Sequence, residues 1–307
     1  MVRPVAPVVL LGVPLPAVGP GIVAAVAAAF AWGGYIFLLK RLFDGHPATV
    51  VVVGLNAAAV AWYLPVTALA VRRDGPPDLG AVGPGGVALV ALTIVAVAAG
   101  IVVFLRAIDE GEVSYVTPIN KLVPVFVLPI ELAFLEAHLT PVQLVGVVVA
   151  TLAVYVANYR AGSLFEPLRR AVTTRPAQLA LVSAVCYAVG DVGKRVALQE
   201  LGLPTAVWVP TLLGGVLVVL APLAAREWDL TRGDVPKFAG VGLLVATAEH
   251  LTSLAFGAIP ASVASPIVNT QAIVAVVLGG LVLRESSFGL RLVAAALAVT
   301  GVTLVAL

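Results

Sequence analysis

The sequence predicts an all-α membrane protein, with ten transmembrane helices arranged as two inverted five-helix repeats. The first observation is composition: 61% of the 307 residues are hydrophobic, 11% are charged, and the mean hydropathy is +1.10. Soluble domains carry about 25% charged residues, so this chain lacks the charge to cover a water-exposed surface. The second observation is an internal repeat. Ser114-Tyr115-Val116-Thr117-Pro118-Ile119 is nearly matched by Ser262-Val263-Ala264-Ser265-Pro266-Ile267, 148 residues later.

The individual helices follow from runs of about 20 apolar residues, the length needed to cross a bilayer. Charge, proline or glycine bounds each run, and ten runs are expected, at 21–39, 48–71, 85–106, 113–135, 141–159, 178–198, 204–225, 236–257, 261–283 and 290–307. The longest polar stretch divides them five and five. We therefore expect a first repeat at 21–160, a linker at 161–176 and a second repeat at 177–307. An odd number of helices per repeat places the second repeat in the opposite orientation.

Residues 1–20 are apolar but contain five prolines, at positions 4, 7, 14, 16 and 20. Proline removes helix donors and clashes with the preceding turn, so no spanning helix is expected there. The segment also lacks a clean small-residue cleavage site, which disfavours a signal peptide. We interpret residues 1–20 as a proline-rich lead-in, either disordered or at the membrane interface.

Composition also limits the function. The loops are short, which excludes a soluble catalytic domain, and the net charge of +2 indicates no nucleic-acid partner. A single cysteine excludes an internal disulfide. The only histidines, His46, His138 and His250, are scattered, so no metal site, cofactor or enzymatic cluster is expected.

Two similar halves around a midplane site are typical of secondary transporters, because the halves can rock between two states. A non-transporting receptor or scaffold is the alternative, and an intramembrane enzyme is a weaker one. The expected partners are a small-molecule solute and the lipid bilayer, with protons as a candidate coupling ion. The chain is expected to be a monomer or a homodimer in the cell membrane.

The segment from Ala107 to Asn158 resembles the EamA domain of the drug/metabolite transporter superfamily. The matching parts are Ser114, Pro118, Pro124, Gln143 and Gly146, and in the second copy Ser262, Pro266 and Gly301; Ala31-Trp32-Gly33 also resembles the first helix of this family. The sequence departs from the family pattern in the two turns, at Ala137 and Arg284, and at Arg291, where Gln is common.

The resemblance implies ten helices, a central cavity and alternating access, with export of a small metabolite as the expected direction. It also implies cytoplasmic termini. Positively charged residues are more frequent in the loops on the side opposite the N terminus, and that distribution favours the reverse orientation.

Lys121 is the strongest candidate for a substrate contact, because a charge in the bilayer interior usually faces a cavity or a partner. The repeat offset maps Lys121 onto Asn269, so both side chains are expected to face the central axis. Lys121 would contact an anion or carboxylate. The alternative is a structural ion pair of Lys121 with Asp191 or Glu249.

Glu249 and His250 are candidates for proton coupling, although adjacent helix residues point about 100° apart. Glu249 shares a face with Thr252 and Ser253, and packing through hydrogen bonds is its alternative role. Asp191 is a further candidate ion contact, but it is spaced to be neutralised by Lys194 and Arg195. Aromatic and amide side chains complete the expected cavity lining: Trp32, Tyr35, Tyr187, Asn56, Gln271 and Tyr115.

Overall fold

The computed structural model describes residues 9–10, 13–14, 19–43, 45–77, 79–110, 119–135, 139–157 and 173–283, together with helical positions 293, 296–297, 300–301 and 304. Apart from two short strands at the N terminus, these residues are almost entirely helical. The strands, β1 (Val9–Leu10) and β2 (Val13–Pro14), pair antiparallel with Val9 opposite Pro14. This pairing was not predicted for residues 1–20.

The described helices of the first half match the predicted spans to within a few residues, except in α4. They are α1 (Pro20–Leu42), α2 (Ala48–Asp74), α3 (Leu79–Glu110), α4 (Val123–Phe134) and α5 (Pro141–Ala157). Helix α3 is interrupted at Gly83, whose φ of 62° lies in the left-handed region that favours glycine. The continuous part of α3 therefore begins near Pro84, close to the predicted start of the third span.

The second half begins with α6 (Arg175–Arg195), which ends in one π-helical turn, Val196–Glu200. It continues with α7 (Thr205–Ala224), a 3₁₀ turn (Arg232–Asp234), α8 (Val235–Ala258), α9 (Ala261–Asn269) and α10 (Gln271–Leu283). The predicted ninth span, 261–283, is therefore not one continuous helix, because the chain breaks at Thr270. The tenth predicted span falls largely outside the described residues, so the count of ten stays a prediction.

Six of the described helices are long and apolar enough to cross a membrane. They are the first three of each half: α1, α2 and α3, and α6, α7 and α8. Helices α4 and α5 are apolar but shorter. Large apolar side chains point outward, including Phe30, Leu69, Phe134 and Val218, each at least 63% exposed. Such exposure is stable in lipid, so the protein is a multi-pass membrane protein.

The two halves exchange their packing partners. Helix α1 of the first half packs chiefly against α8, α9 and α10 of the second, and α6 of the second half packs chiefly against α3 and α4 of the first. Helix α2 lies beside α7. The first helix of each half thus contacts the third and fourth helices of the other half, and this places the centre of the molecule between the halves.

Small residues make this close packing feasible. An added Cβ at Gly33 of α1 would lie 2.5 Å from Cβ of Val274 on α10, and one at Gly190 of α6 would lie 2.7 Å from Cγ2 of Val97 on α3. Close approach of helix backbones at small residues is the usual basis of helix association in membranes. Gly33 is therefore a close-packing contact, whereas the neighbouring Gly34 has only ordinary contacts.

Candidate functional site

A helix break occurs at the same point of each repeat. In the first half it precedes α4, and in the second half it follows α9. Leu122 precedes α4, and Thr270, the residue 148 positions later, separates α9 from α10. The hydrogen bonds around the two breaks match as well. Leu122 N–H donates to Ile119 O and Thr270 N–H donates to Ile267 O, each over 3.1 Å. The repeat seen in the sequence is therefore also a repeat of backbone geometry.

Polar side chains stabilise the break in the second half. The Asn269 amide donates to the Ser265 carbonyl oxygen over 2.9 Å, and the Thr270 hydroxyl donates to Ile267 O over 2.6 Å. Side chains that take up carbonyls of the preceding turn compete with regular helix bonds. Pro266 inside α9 adds to the effect, because it has no N–H to donate.

Asp191 of α6 lies beside this break. The Ser265 hydroxyl donates to Oδ2 of Asp191 over 2.6 Å, and the Asn269 amide also reaches Ser265 Oγ at 3.4 Å. Asp191, Ser265 and Asn269 therefore form a continuous hydrogen-bonded group that joins α6 to α9. Lys194 and Arg195 form ion pairs with Glu249 and Glu131 on other helices, while the charge of Lys194 also acts on Asp191. The neutralisation of Asp191 by its own helix stays a prediction.

Lys121 occupies the turn just before α4, and its charge acts on Asp191. It is largely shielded from the outside and forms no hydrogen bond or ion pair with any other residue in the described ranges. Lys121 and Asn269 lie one at each break; Lys121 acts on Asp191 through its charge, beyond ion-pair distance, and Asn269 is linked to Asp191 through Ser265. Their roles as substrate contacts stay predictions.

Among the residues that the structure describes, Lys194 and Glu249 form the closest ion pair. Lys194 Nζ lies 2.7 Å from Oε1 of Glu249, and the two side chains are only 8% and 6% exposed. The Ser253 hydroxyl donates to the same oxygen over 3.3 Å, and the ammonium lies 5.4 Å from the centre of the Phe256 ring. Helices α6 and α8 are thus joined by a buried and well-partnered charge pair.

His250 points away from this pair. Its Nδ1 lies 2.7 Å from the Tyr63 hydroxyl of α2, whereas Glu249 faces α6. The structure therefore separates the two residues suggested as a coupling pair, as their angle on the helix requires.

Aromatic side chains meet where α1 packs against α8. The Trp32 indole N–H donates to the Thr252 hydroxyl over 2.9 Å, and the Trp32 and Tyr35 rings pack edge to face with centres 5.3 Å apart. Tyr35 lies within electrostatic range of Tyr187 of α6, and Tyr187 within range of Asp191. The predicted aromatic group is therefore near the polar centre, with the Trp32 N–H already occupied by Thr252.

The remaining predicted lining residues differ in placement. Asn56 is buried, but its amide donates to Val52 O within α2 over 2.9 Å, which is a local contact. Gln271 begins α10 and is partly exposed, and its backbone carbonyl faces Gly33. Tyr115 lies outside the described residues.

Two polar residues important to the geometry were missing from the prediction, Glu131 and Gln199, and Arg195 was expected only as a neighbour of Asp191. The Glu131 carboxylate of α4 is fully buried and accepts two backbone N–H bonds from the start of α9. The rule that selected Lys121, a charge within an apolar run, applies equally to Glu131 and would have found it. Gln199 gave no comparable signal.

The family assignment rests on the whole chain. The model of the EamA-like transporter family matches residues 19–159 and again residues 175–307. The chain belongs to the EamA-like transporter family. Its two matches coincide with the two halves of the fold, and the family consists of transporters rather than enzymes.

Comparison of this EamA-like protein with solved structures supports the same architecture. One crystal structure has a TM-score of 0.74 and 13% sequence identity, and the alignment covers 95% of this chain and 99% of the other. At that identity the likeness concerns the fold alone. No curated protein matches the sequence.

Proposed function

We propose that this protein is a secondary transporter that exports a small metabolite by alternating access, with the solute bound between the two halves. The observation that carries the proposal is the pair of breaks at Leu122 and Thr270, related by the repeat. Broken helices at corresponding positions of two repeats are a recurrent feature of transporter binding sites. The family supplies the class, a membrane transporter.

The charges around the breaks suggest the chemistry of the solute. Lys121 is the one ammonium near the centre without an acidic partner at ion-pair distance among the described residues, whereas Lys194 is held by Glu249. An unpaired cation in a low-dielectric site favours an anionic group on the ligand. We therefore expect a metabolite that carries a carboxylate or a similar anion, contacted by Lys121, with Asn269 and Ser265 as neighbouring polar contacts.

The test is solute flux in proteoliposomes. A thermal-shift screen of the purified protein against small metabolites would first identify ligands, because a ligand that binds the native state raises the melting temperature. Flux of a hit would then be compared between the parent, Lys121→Ala and Lys237→Ala. Lys237 is a fitting control, since it pairs with Asp234 at the 3.2 Å contact near the start of α8 and is 44% exposed.

We expect Lys121→Ala to reduce the initial flux at least tenfold and Lys237→Ala to leave it within about twofold. Loading the solute on either side of the membrane would establish the direction. Equal flux in the parent and Lys121→Ala would remove Lys121 from the site. A protein that binds ligands but moves none across the membrane would favour the receptor alternative.

A further inference from the structure

Glu131 holds the first turn of α9 from the neighbouring half of the molecule. Its two carboxylate oxygens each accept one backbone N–H, from Ala261 and from Ser262, both over 2.7 Å. The residue before α9 is Pro260, which provides no side-chain cap. The first N–H groups of a helix have no partner within the helix. In α9 a carboxylate of α4 takes the place of a local capping residue.

A second group of bonds fixes the chain just before α9. The Gln199 amide, in the π turn after α6, donates to Phe256 O over 2.7 Å and to Ile259 O over 2.9 Å. Arg195 joins the two groups, because its Nε lies 3.1 Å from Gln199 Oε1 and 3.2 Å from Glu131 Oε1. Helix α4, the end of α6, and the connection from α8 to α9 are thus tied together.

This network of Glu131, Arg195 and Gln199, called the tie below, lies at one end of the molecule, where α4 and α6 end and α9 begins. Glu131 follows Lys121 by ten residues. At a rise of 1.5 Å per residue, Glu131 lies about 15 Å from Lys121 along the axis of α4. Its side chain is fully buried and Arg195 is 12% exposed. Lys121 lies just before α4 and Asn269 is the last residue of α9, so Glu131 bridges the same two helices that carry the proposed solute contacts.

The tie has no matching counterpart in the repeat. The offset that relates Lys121 to Asn269 relates Glu131 to Gly279, which has no side chain. A carboxylate cap of this kind can therefore form at the α4 side of the repeat and not at the equivalent place on α10.

We infer that Glu131 is a positioning residue that closes this end of the transport path by clamping α9 to α4. The inference rests on the proposed transport function for its meaning, since a closed end matters only if the site opens alternately. Separating α4 from α9 breaks two hydrogen bonds to a charged acceptor, which are among the stronger ones in proteins. It also separates a buried carboxylate from its partners, which is costly in an apolar interior.

The test is the solvent accessibility of a thiol placed in the first turn of α9, which Glu131 holds. Ser262 is fully buried, and Ser262→Cys is nearly isosteric; the native Cys186 would be replaced by serine in every variant. The protein would be placed in lipid nanodiscs, which expose both faces, and labelled with a membrane-impermeant maleimide. We expect slow labelling with Glu131 present and at least a tenfold faster rate with Glu131→Gln.

Glu200→Gln is the matched control. Glu200 also faces Arg195, at 3.6 Å, but it is 54% exposed and does not reach α9. We expect its labelling rate to stay within about twofold of the parent. If Glu131→Gln does not give a folded, monodisperse protein, Glu131→Asp keeps the charge and shortens the reach, and its rate should rise at least threefold. Equal labelling rates for the parent and the folded Glu131 variant would overturn the inference.

A flux measurement on the same variants separates this inference from the proposed function. Faster labelling of the Glu131 variant in a protein that moves no solute would support the clamp and contradict transport. Solute flux with unchanged labelling would support transport and contradict the clamp.

Discussion

Lys194 Nζ on α6 lies 2.7 Å from Glu249 Oε1 on α8, and both side chains are more than nine-tenths buried. This pair joins the first helix of the second half to its third helix. The attraction between the two charges offsets the cost of removing them from water only while both are present. Its role in packing can therefore be separated from any role in ion coupling.

A double-mutant cycle of Lys194→Met and Glu249→Gln tests the packing role. Removing one partner of a buried pair costs about 3–5 kcal/mol, whereas removing both is often close to neutral. We expect each single variant to lower the melting temperature in detergent by several degrees, and the double variant to regain most of that loss. Additive losses in the double variant would show that the pair does not interact as the structure indicates.

The same double variant also tests proton coupling, because it leaves no buried charge without a partner. If Glu249 carries the proton, flux in proteoliposomes bearing Lys194→Met with Glu249→Gln should lose its dependence on a pH gradient while solute exchange continues. The parent provides the reference. An unchanged dependence on the gradient would assign coupling to another group or to none.

Asp191→Asn is expected to impair flux more than it impairs folding. Asparagine can still accept the hydrogen bond from Ser265 Oγ, which spans 2.6 Å in the parent, but it removes the negative charge that faces Lys121. We expect at least a tenfold loss of flux with a melting temperature close to that of the parent. Ser265→Ala is the companion variant, since it removes the hydroxyl and keeps the charge. Parent-like flux in Asp191→Asn would show that the carboxylate's charge is not used.

Gly33→Ala is expected to destabilise the contact between α1 and α10. The new methyl would lie 2.5 Å from Cβ of Val274 and 2.9 Å from the Gln271 carbonyl oxygen. Overpacking of this kind typically costs about 1–3 kcal/mol. Gly34→Ala is the neighbouring control, because its methyl would meet only Leu244 Cδ2, at 3.8 Å. We expect a lower melting temperature for Gly33→Ala alone; equal values for the two variants would contradict the close contact.

Much of the fold could be predicted because the bilayer imposes a simple requirement. A spanning segment must be apolar for about 20 residues, and the runs bounded by charge gave α1, α2, α3, α6, α7 and α8 to within a few residues. The break at Thr270 could not be found in this way. It depends on hydrogen bonds from Asn269 and Thr270 to the preceding turn, and such residues occur in continuous helices as well.

The candidate site was predictable where the repeat could be used. Aligning the two copies related Lys121 to Asn269; the charge of Lys121 acts on Asp191, and Asn269 is linked to Asp191 through Ser265. Ion-pair partners were less accessible to sequence reasoning. Spacing along one helix suggested that Lys194 and Arg195 would neutralise Asp191, yet their closest partners are Glu249 and Glu131 on other helices. Spacing describes which residues share a face, and it does not describe which neighbouring helix faces them.

The unequal pair Glu131 and Gly279 has a thermodynamic consequence. A perfect inverted repeat would give the two alternating states equal free energies, because exchanging the roles of the halves converts one state into the other. Under the proposed alternating access, a carboxylate present in only one copy would remove that equality and shift the resting population towards the state in which α4 and α9 are joined. Solute binding would then have to supply the difference in each transport cycle.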